Sequence, residues 1–207
     1  MLRPIVVEFT GTPEAGKTTS MKLVKNMLIE EELNVGVVAE AAEKIFDYLP
    51  KDTSDFGIWV VVTTAKELVE QFNRPNDVII VDRGILDRIF WNLYSYTKGD
   101  ITLEEKTNRD LLMSNPYMPF KSDILVVLTI PTEESIKRKG KEGRFVTSKN
   151  INIYNECLKQ FLGQVNTYSK STEIIEICTL NLDKQQVAQK IFDPIMELLS
   201  KRKNNIV

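Results

Sequence analysis

Residues 11–18 constrain the folding of this chain more than any other segment, because they read Gly-Thr-Pro-Glu-Ala-Gly-Lys-Thr. Two glycines followed by lysine and threonine at this spacing are typical of a loop that binds phosphate through its backbone N–H groups. An apolar run at 5–9 precedes the loop, and an amphipathic stretch at 17–32 follows it. The segment therefore predicts a strand, a tight turn and a helix N-terminus whose dipole attracts anions.

The side chains of this loop have separate predicted roles. Lys17 is expected to neutralise the β- and γ-phosphates of a nucleotide, and the Thr18 hydroxyl to ligate Mg²⁺. ATP and Mg²⁺ are therefore the expected cofactors. The predicted nucleotide-binding residues are Gly11, Pro13, Glu14, Ala15, Gly16, Lys17, Thr18 and Thr19.

The remaining chain alternates apolar runs with helical patterns, as in parallel α/β sheets. Further strands are predicted at 35–39, 77–82, 124–130 and 173–178. Helices are predicted at 17–32, 58–72, 86–96 and 104–113. Three more are predicted: one that begins at 131, one that runs from Tyr154 to Tyr168, and one that begins at 183. The last is expected to kink at Pro194 and to fray at 201–207. Together they predict one three-layer α/β/α domain over 1–207 with a five-stranded parallel sheet.

Two acidic residues end predicted strands, at the sheet edge where ligands bind in open parallel sheets. Asp82 is expected to hold a water on Mg²⁺, the alternative being a residue that only caps a turn. Glu40 is expected to accept the proton of an attacking hydroxyl, the alternative being a solvated residue at a helix start. Arg83 stands where hydrolytic ATPases usually carry glutamate, which favours an anionic or hydroxylated substrate over a hydrolytic water.

A basic, glycine-bearing segment at 135–149 is predicted to form a flap that closes over the phosphates. Arginine grips phosphate oxygens in a bidentate manner, so Arg138 and Arg144 are the preferred flap residues. An ordinary solvated basic loop is the alternative. Asp87 and Arg88 either orient a substrate or pair with each other at the surface, and the aromatic residues between 46 and 94 either line a pocket for a planar base or belong to the core.

The composition excludes several classes of site. The chain has no histidine, which removes Ser-His-Asp and Cys-His catalysis and histidine-ligated metals. Its net charge of −2 argues against a nucleic-acid-binding module. Two cysteines are too few for a disulfide framework, and no long apolar stretch or signal peptide is visible. A cytoplasmic protein with no membrane or nucleic-acid partner is therefore expected.

With these residues identified, the chain resembles P-loop small-molecule kinases, most of all the deoxynucleoside kinase and thymidylate kinase group. Related nicotinamide-riboside-kinase-like and AAA-domain P-loop proteins share the same features. The matching positions are 11–19, Glu40, Asp82 with Arg83, the basic flap, and the helix that carries Tyr154. The resemblance implies a P-loop NTPase fold, Glu40 as the base, flap arginines on the phosphates, and a possible homodimer.

Some positions depart from the deoxynucleoside kinase pattern. Ala41 stands where that family has proline, and Ile45 where it has tryptophan. The string Asp-Arg-Gly-Ile-Leu-Asp at 82–87 is closer to the AAA-domain group.

Two functions are consistent with the sequence. The first is transfer of the γ-phosphoryl group of ATP to a small-molecule acceptor, a nucleoside or nucleotide. The alternative is an ATPase or nucleotide switch that acts on a protein partner. The Asn-Lys-x-Asp string by which GTPases read guanine does not follow a later strand, which argues against a GTPase.

Overall fold

A computed structural model describes residues 3–44, 54–114, 121–140 and 147–204. Its strands are β1 (Ile5–Gly11), β2 (Val35–Val38), β3 (Val78–Asp82), β4 (Ile124–Thr129) and β5 (Glu173–Cys178). Its helices are α1 (Lys17–Glu30), α2 (Ser54–Phe72), α3 (Ile85–Lys98), α4 (Leu103–Ser114), α5 (Thr132–Lys139), α6 (Ser148–Leu162), α7 (Val165–Tyr168) and α8 (Lys184–Asn204). A single 3₁₀ turn, Ala41–Glu43, follows β2.

The five strands form one parallel sheet in the order β2-β3-β1-β4-β5. The central strand β1 aligns Phe9 with Asp82 on β3, and Gly11 with Leu128 on β4. The carboxyl ends of the strands therefore meet at one edge, where ligands bind in such sheets. The predicted α/β fold with a five-stranded parallel sheet is confirmed.

Helices cover both faces of the sheet because the side chains of its strands are buried on both sides. Val7 and Phe9 of β1 belong to the core that includes α1 and α8. On the opposite face, Val6 packs with residues of α2, and Leu125 of β4 packs with residues of α3 and α6. Strands buried on both faces read as continuous apolar runs, which explains why β1, β3 and β4 are recognisable in the sequence.

The predicted fraying of the C-terminal segment is wrong for residues 201–204. Helix α8 continues past Pro194 and ends at Asn204. Arg202 forms an ion pair with Asp123 and donates a hydrogen bond to the Arg3 carbonyl oxygen at 3.1 Å. These contacts hold the last turns against the sheet, a tertiary effect that a local pattern does not contain.

The predicted flap at 135–149 is described only in part, and its closure over the phosphates stays a prediction. Ser135, Arg138 and Lys139 lie in α5, which ends in a left-handed Gly140 with φ of 81°. Residues 148 and 149 begin α6, and residues 141–146, with Arg144, lie outside the described part. Within the described ranges, no helix is both long and apolar enough to cross a membrane.

Candidate functional site

The loop between β1 and α1 has a backbone that requires glycine at both ends. Gly11 has a φ of 129° and Gly16 a φ of 92°. A Cβ on Gly11 would lie 1.9 Å from the Leu128 carbonyl oxygen of β4, so no side chain fits there. No side chain caps the N-terminus of α1. The first N–H groups of α1 and its positive dipole end are thus available to an anion.

Side chains from α5, α6 and the segment after β5 hold the carbonyl groups of this loop. The bonds run from Tyr154 Oη to the Gly11 oxygen (2.9 Å), Ser135 Oγ to Pro13 (2.8 Å), Arg138 Nη1 to Glu14 (3.3 Å) and Thr179 Oγ1 to Ala15 (3.1 Å). Because four carbonyls of the loop are engaged by neighbouring elements, the loop is fixed in shape before any ligand arrives. Such preorganisation lowers the entropy that binding has to remove.

Lys17 lies within the curve of the loop. Its Nζ donates hydrogen bonds to the carbonyl oxygens of Gly11 at 2.9 Å and Thr12 at 3.0 Å. Burial lowers the pKa of Lys17 to about 8, and the nearby charge of Arg83 adds to that effect. This lowering is opposed by the carboxylates of Asp87, Asp82 and Glu40. The ammonium group itself donates to two backbone carbonyls, contacts that the oxygens of a polyanion can replace.

The predicted magnesium ligands lie at the same edge of the sheet. Thr18 is an exposed residue in the first turn of α1, and Asp82 ends β3 beside β1. No group of three or more His, Cys, Asp or Glu side chains that could hold a metal occurs among the described residues. A hydroxyl and one carboxylate nevertheless fit Mg²⁺, which keeps several waters and uses nucleotide phosphates as its other ligands.

Arg83 joins the predicted base to the start of α3. Its Nε lies 3.1 Å from Glu40 Oε1, and its Nη1 lies 3.6 Å from Asp87 Oδ1. Its guanidinium carbon lies 5.5 Å from the centre of the Trp91 ring, within cation–π range. Burial alone would lower the pKa of Arg83, but Asp87, together with Glu40, raises it above its ordinary value.

The backbone of Arg83 is strained. Its φ of 57° is left-handed, a region that a bulky non-glycine residue rarely adopts, at a cost of about 1–3 kcal/mol. The Arg83 N–H donates to the Phe9 carbonyl oxygen of β1 at 3.1 Å. Because this conformation turns the chain from β3 into α3, it brings the arginine side chain back to Glu40.

A buried carboxylate, Glu8, stabilises the same turn from the central strand. Its side chain accepts hydrogen bonds from the N–H of Asp87 at 2.7 Å, the N–H of Leu86 at 3.3 Å and the Ser122 hydroxyl at 2.6 Å. It thereby acts as the N-terminal cap of α3 from a distant part of the sequence. A Cβ on Gly84 would lie 2.6 Å from the Glu8 carboxyl carbon, so a larger residue here would have to displace that carboxylate.

Replacing Glu8 with glutamine is expected to remove a pH dependence of stability. Burial raises the pKa of Glu8 from 4.5 to about 7. The folded state therefore holds a proton that the unfolded state releases between these values, so stability from this group is full below pH 4.5 and is lost as the pH rises to 7. Between pH 5 and 7.5 the wild type should lose about 2–3 kcal/mol of unfolding free energy relative to Glu8→Gln, measured by urea denaturation.

The exposed variant Glu30→Gln is the control for this measurement, and it should follow the wild-type dependence on pH. Parallel pH curves for Glu8→Gln and the wild type would show that Glu8 does not take up a proton on folding.

Arg138 lies at the rim of the phosphate-binding loop. Its guanidinium donates to the carbonyl oxygens of Glu14 and, at 3.5 Å, Thr179, and it pairs with Glu134 at 3.2 Å. The structure thus places this predicted flap arginine next to the loop, at the end of α5. Arg144, the other predicted flap arginine, lies outside the described residues.

Several residues of the site were missed in the sequence. The Thr10 hydroxyl donates a hydrogen bond to the buried carboxylate of Asp87. The Thr12 hydroxyl donates one to Asn155 Oδ1 of α6 at 3.1 Å. Tyr154 was predicted only as part of a helix, although its hydroxyl donates a hydrogen bond to the Gly11 carbonyl oxygen of the loop. A charged residue inside an apolar strand was the available signal for Glu8, whereas nothing local distinguishes the hydroxyl of Tyr154 from a core aromatic ring.

Solved structures of kinases share this architecture. Deoxyadenosine kinase from M. mycoides with bound dCTP superposes with a TM-score of 0.70 at 18% identity, covering 93% of this chain and all (100%) of that one. Thymidylate kinase from Candida albicans gives a TM-score of 0.65 at 20% identity, covering 94% of this chain and 92% of that one. At these identities the likeness establishes the fold, that of nucleoside and nucleotide kinases.

The comparison with sequence families is more direct. No curated protein sequence matches this chain. The family model described as "AAA domain", however, matches residues 6–166, which include the phosphate-binding loop, Glu40, Asp82 and Arg83, and the tyrosine of α6. The chain therefore belongs to this AAA-domain family of P-loop proteins, as its sequence resemblance indicated.

Proposed function

We propose that this protein transfers the γ-phosphoryl group of ATP to a small-molecule acceptor, a nucleoside or nucleotide. The observation that carries the proposal is the pairing of Glu40 with Arg83, at 3.1 Å, beside a preformed phosphate-binding loop. Kinase folds of closely similar architecture support it. Phosphoryl transfer to a hydroxyl needs a loop that binds ATP and a carboxylate base that is held in position next to it.

The cationic side chains of the site would stabilise charge during transfer. Lys17 would leave the carbonyls of Gly11 and Thr12 and bind the β- and γ-phosphates, while Arg138 would approach them from the rim of the loop. Thr18 and Asp82 would hold Mg²⁺, which supplies charge neutralisation at the phosphate oxygens when bound. Fixed positive groups in a partly buried site act more strongly than they do in water.

Glu40 would accept the proton as the acceptor hydroxyl attacks. The hydroxyl oxygen forms a bond to the γ-phosphorus, the bond from that phosphorus to the β,γ-bridging oxygen breaks, and ADP leaves. The proton of the hydroxyl passes to the Glu40 carboxylate, whose position Arg83 fixes. An arginine at position 83 instead of a second carboxylate leaves water without an activating group there, which favours transfer over hydrolysis.

A phosphotransfer screen tests this proposal. Purified protein with Mg-ATP is incubated with nucleosides, nucleotides and riboside vitamins, and ADP and phosphorylated acceptor are both measured. We expect ADP formation to depend on one chemical class of acceptor. Phosphate release at a rate that no acceptor changes would instead favour an ATPase or switch with a protein partner. A cytoplasmic location, expected from the composition, and a homodimer, implied by the family resemblance, stay predictions.

A further inference from the structure

Arg88, one turn into α3, carries a guanidinium group that lies near the carboxylates of Asp87 and Glu40 and whose inner nitrogen is buried. This nitrogen, Nε, has no hydrogen-bond partner among the described residues. The neighbouring carboxylate of Asp87 is already engaged by the hydroxyl of Thr10 and by Arg83. A buried N–H group without a hydrogen-bond partner costs free energy unless a ligand accepts from it, so its presence here requires an explanation.

The surroundings of Arg88 place it on the acceptor side of the proposed site. Its guanidinium carbon lies 5.9 Å from the centre of the Phe56 ring, in the first turn of α2. Arg109 of α4 approaches the next residue, since its Nη1 lies 3.8 Å from where a Cβ on Gly57 would be. Aromatic and cationic groups thus meet around Arg88, which is also an electrostatic neighbour of Glu40 and Arg83.

The electrostatics of this region agree with an unfilled anion position. Burial lowers the pKa of Arg88 to about 10. The carboxylates of Asp87 and Glu40 oppose this, and Arg83 and Arg109 add to it. The group is therefore still a cation at neutral pH, in a cluster of three arginines. An acceptor that brings a negative charge would remove their mutual repulsion.

We propose that Arg88 determines acceptor specificity by binding an anionic group, a carboxylate or phosphate, at the end of the acceptor opposite the phosphorylated hydroxyl. The inference rests on the proposed function for the position of the acceptor. A ring carrying the acidic group would stack on Phe56 while its oxygens meet the guanidinium fork, a geometry that arginine supports better than lysine. Neutral acceptors would leave the guanidinium without a partner and bind more weakly.

Compounds with the same ring and either a charged or a neutral substituent test the proposed role of Arg88. Protein saturated with Mg-ADP, which occupies the phosphate-binding loop, is titrated calorimetrically with benzoate, with neutral benzamide and with phenyl phosphate. We expect benzoate to bind at least about tenfold more tightly than benzamide, because a charged hydrogen bond is made only by benzoate. Tighter binding of phenyl phosphate than of benzoate would assign a phosphate, and the reverse order a carboxylate.

Variants assign the preference to this residue. Arg88→Met should bring the benzoate-to-benzamide ratio close to one, whereas Arg88→Lys should retain part of it. Arg74→Met, which removes one exposed positive charge elsewhere, should leave the ratio unchanged. The thermal unfolding temperature of each variant shows whether it is folded. If Arg88→Met does not fold, the benzoate-to-benzamide ratios of the wild type and of Arg88→Lys decide whether Arg88 binds the anion.

The inference would be overturned if the wild type bound benzoate and benzamide equally or bound neither. A preference for benzoate that is retained in Arg88→Met would also overturn it. The affinity for Mg-ADP is measured first in the same experiment. Absence of Mg-ADP binding counts against the proposed function, while a missing charge preference with normal Mg-ADP binding counts only against the role of Arg88.

Discussion

Replacing Lys17 with alanine is expected to abolish phosphoryl transfer. The Lys17 ammonium is the cation held inside the phosphate-binding loop, where it donates to the carbonyls of Gly11 and Thr12 and would exchange these for phosphate oxygens. Removing one fixed charge of this kind from a catalytic site lowers turnover by about 10²–10³-fold. The measurement is the rate of ADP formation at saturating acceptor, with ATP binding followed separately by calorimetry.

Lys22→Ala is the matched control for this variant, because Lys22 is an exposed lysine on the same helix α1. It should retain the wild-type rate. Turnover of Lys17→Ala above about a tenth of the wild-type rate, well short of that loss, would contradict the role given to Lys17.

Replacing Glu40 with glutamine is expected to leave ATP binding intact and to lower the rate of transfer by about 10²–10⁴-fold, the range found for general bases. Glutamine keeps the size of the side chain and still offers an oxygen to Arg83, so the geometry of the pair should persist. It does not accept a proton from the acceptor hydroxyl. The kcat for transfer and the Kd of Mg-ATP separate the two effects.

Glu67→Gln is a close control for this substitution, because Glu67 and Glu40 are similarly buried and each pairs with a cation. Their side chains are 20% and 25% exposed, and Glu67 pairs with Lys44. Its kcat should match the wild type. Full transfer by Glu40→Gln would remove Glu40 from the role of base and direct attention to Asp82 or Asp87.

Much of the fold could be predicted from the sequence because its signals are local. Strands buried on both faces appear as apolar runs, as at Val78–Asp82, and the spacing of Gly11, Gly16 and Lys17 describes one continuous turn. The positions of Glu40 and Asp82 also followed from the rule that ligands bind at the carboxyl ends of parallel strands. Their chemical roles stay predictions until the variants above are measured.

The contacts that support the site were not predictable in this way. The bond from Tyr154 to Gly11 joins residues that are 143 positions apart, and that from Ser122 to Glu8 spans 114. A periodic pattern shows that Tyr154 faces inward but not that its hydroxyl meets a carbonyl. Likewise, the sequence around Arg88 was consistent with pairing at the surface. In the structure the Asp87 carboxylate instead contacts Thr10 and Arg83.

The phosphate-binding turn between a strand and a helix is recognisable from local sequence, because glycine torsions and apolar runs act over a few residues. Which side chains support that turn, and the lack of a hydrogen-bond partner for the buried Nε of Arg88 among the described residues, depend on tertiary packing. Burial and charge balance depend on which distant segments are packed together, and the sheet order β2-β3-β1-β4-β5 sets that packing.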